Sequence, residues 1–313
     1  MTSATTQGFE SAERRLFKVY GLEAESRFLE LRDPPMRARV LETGEGAPVI
    51  LVHGGGGVGA TWAPLMARMP GVRLMVVDRP GFGLSDGFDY RDVDLRRHAV
   101  AFLESVLDAL GIERAAFVGN SMGGLWSFWL ALDRPERVST LVQLGSTALL
   151  TGTMAPLPMR LLSVPGLNRL MLAAERPSPE QARKFLARLG HDEAVIDRQL
   201  PEEFFEMLAA SQELPDYATA WSTLVERCLT LRGAVPDVRL GTEELRRVRQ
   251  RTLFVWGESD VFGGPEIGEL AARLMPRAEI AAVPGGHLPW LDEPEVSAEA
   301  VSRLLRSSVL AGR

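Results

Sequence analysis

Cysteine is nearly absent from this chain. Among 313 residues only Cys228 carries a thiol, so an intramolecular disulfide is excluded and that side chain is expected to fill space. Basic tracts are absent too. The formal net charge is −6, which leaves no electrostatic footprint for nucleic acid and excludes it as a partner. No apolar run is long enough to span a membrane, so no membrane partner is expected. The opening residues Met1 to Thr6 lack the charged and apolar regions of a secretory leader, and a cytoplasmic location is the expectation. Richness in alanine, arginine and glycine fits a GC-rich bacterial source. Neither a metal nor a cofactor is expected. Histidine is scarce as well, with four in the chain, which makes the search for a catalytic base short.

What the chain does contain is an α/β pattern. With 46% hydrophobic residues it can bury one full core and still carry an insertion. Apolar stretches at 48–52, 72–77, 115–119, 138–144, 252–256 and 279–283 read as strands. Helical patterns separate them, beginning near Thr61 and at 92–110, 265–275 and 294–309. In the second of these Val93, Val100, Leu103, Val106, Leu107 and Leu110 recur at helical spacing. An early strand pair at 27–31 and 37–41, turned at Pro34-Pro35, brings the sheet to eight strands. Strands alternating with helices imply a mostly parallel sheet covered on both faces. The expected core is 26–145 with 248–313. Residues 1–25 form an N-terminal extension with a short helix from Ala12 to Tyr20, and 146–247 a helical lid insertion. That insertion is punctuated by prolines and rich in methionine and leucine, among them Met154, Leu157, Met159, Leu170 and Met171. Some of these are expected to face an apolar pocket.

The chemistry is concentrated at Gly119-Asn120-Ser121-Met122-Gly123-Gly124, a G-x-S-x-G between a strand and a helix. There the serine sits on a tight, strained turn with its hydroxyl in the open. The flanking glycines matter because a Cβ would collide with the neighbouring strand and helix. Ser121 is the candidate nucleophile, and it needs a base. His98 lies in a helix and reads as a surface or boundary residue; His191 lies in a polar segment and reads as solvated loop. His287, in Gly285-Gly286-His287-Leu288 after a strand, is placed to reach a site. Asp260, ending Trp256-Gly257-Glu258-Ser259-Asp260, is the expected carboxylate partner, with Glu258 the near alternative and Asp292 too close to His287 to suit. The loop His53-Gly54-Gly55-Gly56-Gly57 follows a buried strand. Its glycines can point backbone N–H groups at a developing oxyanion, with donors expected at Met122 and Gly55, then Gly56, and His53 bracing the loop. Asn120, Trp126, Leu288 and Trp290 are candidates for the pocket wall. A rival reading is open: Gly54-x-Gly56-x-x-Gly59 with Asp78 some distance on also satisfies a dinucleotide fingerprint. The tight turn Arg79-Pro80-Gly81 directly after Asp78 argues against it.

Taken together, HGGGG at 53–57, DRPGFGLSD at 78–86, GNSMGG at 119–124, WGESD at 256–260 and GGHLPWLDEP at 285–294 resemble the α/β-hydrolase superfamily. The resemblance runs from about Phe28 to Leu305 apart from the insertion, and implies an α/β-hydrolase fold with the triad order Ser121, Asp260, His287. The glycine loop and GNSMGG look most like the meta-cleavage-product hydrolases, which split carbon–carbon bonds of dienoates. Three features depart from that pattern: the loop reads HGGGGVGA, Leu288 stands where tryptophan usually follows the histidine, and the helix near 201–208 has no arginine for a carboxylate.

The leading expectation is a serine hydrolase acting on an ester, thioester or lactone of a mid-sized apolar substrate through an acyl-enzyme on Ser121. The alternatives are a carbon–carbon bond hydrolase, and a cofactor-free cyclase or acyl transferase, on the same residues. A triad-bearing protein that chiefly binds a ligand is the reading from another class. Self-association as a homodimer is left open.

Overall fold

The computed structural model describes residues 3–174 and 176–311; the first two residues of the expected N-terminal extension lie outside them. An eight-stranded sheet forms the centre, in the order β1-β2-β4-β3-β5-β6-β9-β10. β1 (Glu25–Arg32), β2 (Pro35–Thr43) and β4 (Arg73–Val77) meet antiparallel at one side. The remainder is parallel: β3 (Pro48–Val52), β5 (Ala115–Asn120), β6 (Val138–Thr147), β9 (Arg251–Gly257) and β10 (Ala278–Val283). Sequence periodicity follows from this. β3 and β5 are buried from both faces and read as continuous apolar runs, whereas β1, at the edge, alternates toward its end. β6 runs on to Thr147, three residues past its expected end, and this extension carries Ser146 into the site.

Two helices depart most from the expected bounds. α1 (Ala4–Val19) starts eight residues before its expected start at Ala12, because the Ser3 hydroxyl accepts from the Thr6 amide and caps it. Its buried face is Phe9, Ala12, Leu16 and Phe17. The helix expected near Thr61 is only a 3-10 turn and the short α2 (Ala63–Met66). α3 (Leu95–Ala109) and α4 (Ser121–Asp133) pack on each other beside the sheet.

Between β6 and β9 the chain leaves the sheet. It forms α5 (Leu157–Leu161), α6 (Leu167–Ala174), α7 (Pro179–Arg188), α8 (Glu193–Gln199), α9 (Glu202–Gln212) and α10 (Tyr217–Cys228). A small hairpin of β7 (Leu229–Thr230) with β8 (Gly233–Ala234), then α11 (Thr242–Arg247), bring it back. α12 (Pro265–Leu274), α13 (Pro289–Asp292) and α14 (Pro294–Ala311) complete the core. α1 packs on α9 of this insertion, with Arg15 and Glu206 paired at 2.7 Å. Beneath α1 the Arg39 guanidinium is fully buried between Glu13 and Asp78. Among the described residues no helix is long and apolar enough to cross a membrane.

Candidate active site

β5 ends at Asn120 and α4 begins at Ser121 with no connecting loop. To make that turn Ser121 takes φ +49°, a left-handed conformation that costs a non-glycine residue free energy. The turn survives because its neighbours have no side chains. A Cβ on Gly119 would lie 2.5 Å from Gly124 Cα, and one on Gly123 would lie 2.0 Å from Val52 O. Ser121 and His287 both line one cavity beneath the insertion.

Behind His287 stands Asp260. Its Oδ2 accepts from His287 Nδ1–H at 2.9 Å and from the Ser146 amide at 2.8 Å, while Oδ1 accepts from the Phe262 amide at 3.0 Å. Burial alone would push this carboxyl up. The imidazole beside it and the two amides outweigh burial, and the carboxyl ends below its ordinary range. With Nδ1–H committed to Asp260, the free ring position is Nε2, the atom a general base needs. Glu258, the sequence alternative, is exposed. Ser146 was missed by sequence reasoning: its Oγ sits 3.2 Å from His287 Nδ1. Phe262, also missed, packs its ring 4.4 Å from the imidazole.

The glycine loop is held from below by Arg79. Its Nε donates to His53 O at 3.0 Å, its Nη2 to Gly54 O at 2.8 Å, and its amide to His53 Nε2 at 2.9 Å. Burial, reinforced by the Arg79 charge, drives the His53 pKa well below its ordinary value, so His53 is a neutral brace. Burial likewise lowers Arg79, to about 10, which leaves it charged at neutral pH. The clamp fixes the carbonyls that precede Gly55. The Met122 amide lies in the first turn of α4, where N–H groups have no intrahelical acceptor. Trp221 of α10 lies over the loop, so close that a Cβ on Gly55 would meet its ring at 2.7 Å. Gly56 takes φ +71°, and its carbonyl accepts from Tyr217 at 3.4 Å. Asp78 accepts from the Gly59 and Leu84 amides and faces Arg39, so it has no free edge for a ribose.

The cavity wall is apolar. From the insertion it takes Met159, Phe185, Leu186, Phe204 and Leu208, with Cys228 at the end of α10. Leu288 is on this wall, as expected. Trp126 is not: it is fully buried beneath Arg79 and packs edge-on against Phe102 and His98. Trp290 is not either, because it stacks on Trp62 at 4.2 Å and donates to Thr61 O. Asn120 borders the cavity, but its amide donates to Leu144 O and His287 O and so ties strands together. His98 is buried, stacked on Phe88, rather than at the surface. His191 is buried and paired with Asp292 at 2.7 Å rather than solvated. Met154, Leu157 and Leu170 point mostly to solvent.

Residues 47–294 match the family model described as the alpha/beta hydrolase fold. A 2-hydroxy-6-oxo-6-phenylhexa-2,4-dienoate hydrolase of Comamonas testosteroni is 31% identical over 228 residues, covering 71% of this chain and 74% of that protein. A 2-hydroxy-6-oxononadienedioate/2-hydroxy-6-oxononatrienedioate hydrolase of the same species is 28% identical, covering 79% and 83%. Among solved structures, the carboxylesterase CesB of Bacillus subtilis matches with a TM-score of 0.74 at 23% identity, covering 99% of this chain and 100% of that one. A meta-cleavage product hydrolase from Pseudomonas fluorescens matches with 0.71 at 19%, covering 90% and 98%.

Proposed function

Since the chain belongs to the α/β-hydrolase fold family and is a hydrolase of that fold, we propose that it hydrolyses neutral, mid-sized apolar esters, thioesters or lactones through an acyl-enzyme on Ser121. The observation that carries this is the cavity wall around Ser121 and His287. Among the described residues it includes no lysine, arginine, aspartate or glutamate. A substrate carboxylate would be desolvated there without a partner, at a cost of roughly several kcal/mol, whereas a neutral acyl chain gains by burial.

On this reading the residues act in sequence. Ser121 Oγ attacks the carbonyl carbon while His287 Nε2 takes its proton. Asp260 holds the imidazole in the tautomer that leaves Nε2 free and stabilises the imidazolium. The carbonyl oxygen becomes an oxyanion facing the Met122 and Gly55 amides, with Gly56 adjacent. His287 returns the proton to the departing alkoxide or thiolate. Water, deprotonated by the same imidazole, then attacks the acyl-enzyme and releases the acid and Ser121. The helical insertion acts as the lid that keeps the acyl group dry.

A second reading has its own support, because the curated relatives are named as dienoate hydrolases. On that reading the same residues would cleave a carbon–carbon bond beside a ketone. The deciding experiment mixes wild type and Ser121→Ala with a fluorophosphonate probe and with p-nitrophenyl esters, both neutral and tipped with a carboxylate. Ester hydrolysis predicts labelling and turnover that vanish together in Ser121→Ala, and at least about tenfold preference for the neutral ester. Fast cleavage of a vinylogous diketone acid with negligible ester turnover would replace this reading with the second.

A further inference from the structure

The turn bearing His287 is not held by the core alone. Its three consecutive amides all find acceptors in one assembly. Gly286 N–H donates to Asp292 Oδ2 at 3.1 Å, His287 N–H to Leu189 O at 2.9 Å, and Leu288 N–H to His191 Nε2 at 3.3 Å. Since Nε2 of His191 accepts, its proton is on Nδ1, which donates to Asp292 Oδ2 at 2.7 Å. Leu189 and His191 belong to the insertion, in the loop after α7. The two loops touch at backbone distance: a Cβ on Gly286 would lie 2.7 Å from Leu189 O, and one on Gly190 would lie 2.0 Å from Ser259 O, next to Asp260. Both members of the pair are sealed, with side-chain exposures of 0% for His191 and 3% for Asp292.

We propose that His191 is a positioning residue for the base. It ties the insertion to the His287 turn and holds the imidazole in register with Ser121. An imidazole suits the place because its neutral form offers one donor and one acceptor on opposite sides of a flat ring, enough to bridge a carboxylate and an amide at once. The same loop leads out of α7, whose Phe185 and Leu186, with Leu189, line the cavity. An acyl chain pressing on that wall therefore bears on the segment that holds the base. Misplacing a base by about an ångström is enough to lower turnover about 10²-fold.

This inference rests on the hydrolase reading of Ser121 and His287. The test compares wild type, His191→Phe and His191→Gln by p-nitrophenyl ester kinetics, by the rate of fluorophosphonate labelling and by melting temperature. His191→Phe fills the space without the polar atoms; His191→Gln restores one donor and one acceptor. The expected result is a fall in kcat of about 10–100-fold for His191→Phe with KM within about threefold, a parallel fall in labelling rate, and substantial recovery in His191→Gln. His191→Leu, which is smaller, carries the same comparison if His191→Phe does not fold. Unchanged kcat and labelling rate in folded variants, with only a lower melting temperature, would overturn the proposal, as would a rise in KM alone. Wild-type enzyme that does not label at Ser121 would instead sink the hydrolase reading itself.

Discussion

Replacing His98 with phenylalanine should make the protein markedly less sensitive to acid. His98 lies on α3, stacked on Phe88 at 4.2 Å and edge-on to Tyr90 and Trp126. Its Nε2 has no hydrogen-bond partner. Burial, and after it the Arg79 charge, lowers its pKa to about 4. The unfolded chain returns it to about 6.5, so between those two values the unfolded state binds the proton and the folded state does not. Stability from this group is therefore complete above about pH 6.5 and is lost progressively as pH falls toward 4. At about 1.36 kcal/mol per pH unit the full loss is about 3.4 kcal/mol, of which roughly 2 kcal/mol has gone by pH 5. Phenylalanine keeps the ring stack and removes both the titration and the orphaned nitrogen. Urea unfolding of both proteins at pH 7 and pH 5 measures the difference directly. His53 titrates in the same direction and acts in both proteins, so the comparison cancels it. A pH dependence unchanged within about 0.5 kcal/mol would refute the reasoning, because it would mean that His98 can be protonated in place.

Two further predictions concern single groups. Asp260→Asn leaves one acceptor oxygen where the carboxylate had two: with that oxygen on the Phe262 amide, its NH2 faces His287 Nδ1 and the tautomer is no longer enforced, so kcat should fall by about 10³–10⁴ with KM nearly unchanged; a loss below tenfold in steady-state kinetics would remove Asp260 from its role. Burial pushes the Cys228 thiol up to about 12. At pH 8 iodoacetamide should then leave the folded protein unmodified by mass spectrometry and alkylate it fully in urea, and rapid modification of the folded chain would contradict the burial.

How much could be read without the structure depended on how local the signal was. The turn at Ser121 is written in six adjacent residues, and the clash that requires Gly119 arises within the same strand–turn–helix unit, although the one that requires Gly123 comes from Val52 at the end of β3. Asp260 and His287 were legible because each ends a recognisable strand, and in a parallel sheet those ends converge on one crevice. The misread residues share the opposite property. His98 is buried by Phe88, from a loop with no periodicity, and His191 by Asp292, about a hundred positions away. Trp126 and Trp290 lie next to site motifs but point into the core, toward Arg79 and Trp62. In the insertion, proline spacing marks where helices break but says nothing of which face meets the sheet. Thus Met159 reaches the cavity while Leu157, two residues earlier, lies in solvent.

The position of Trp221 has an optical consequence. The chain has six tryptophans, and Trp62, Trp126, Trp129, Trp256 and Trp290 are sealed in the interior. Trp221 alone is partly open, and its indole rests on the glycine loop at the cavity wall. The five interior indoles supply a constant background of emission, blind to whatever enters the cavity. The sixth has its dipolar surroundings rewritten whenever water there gives way to an apolar ligand, so the molecule carries a built-in, label-free gauge of its own occupancy.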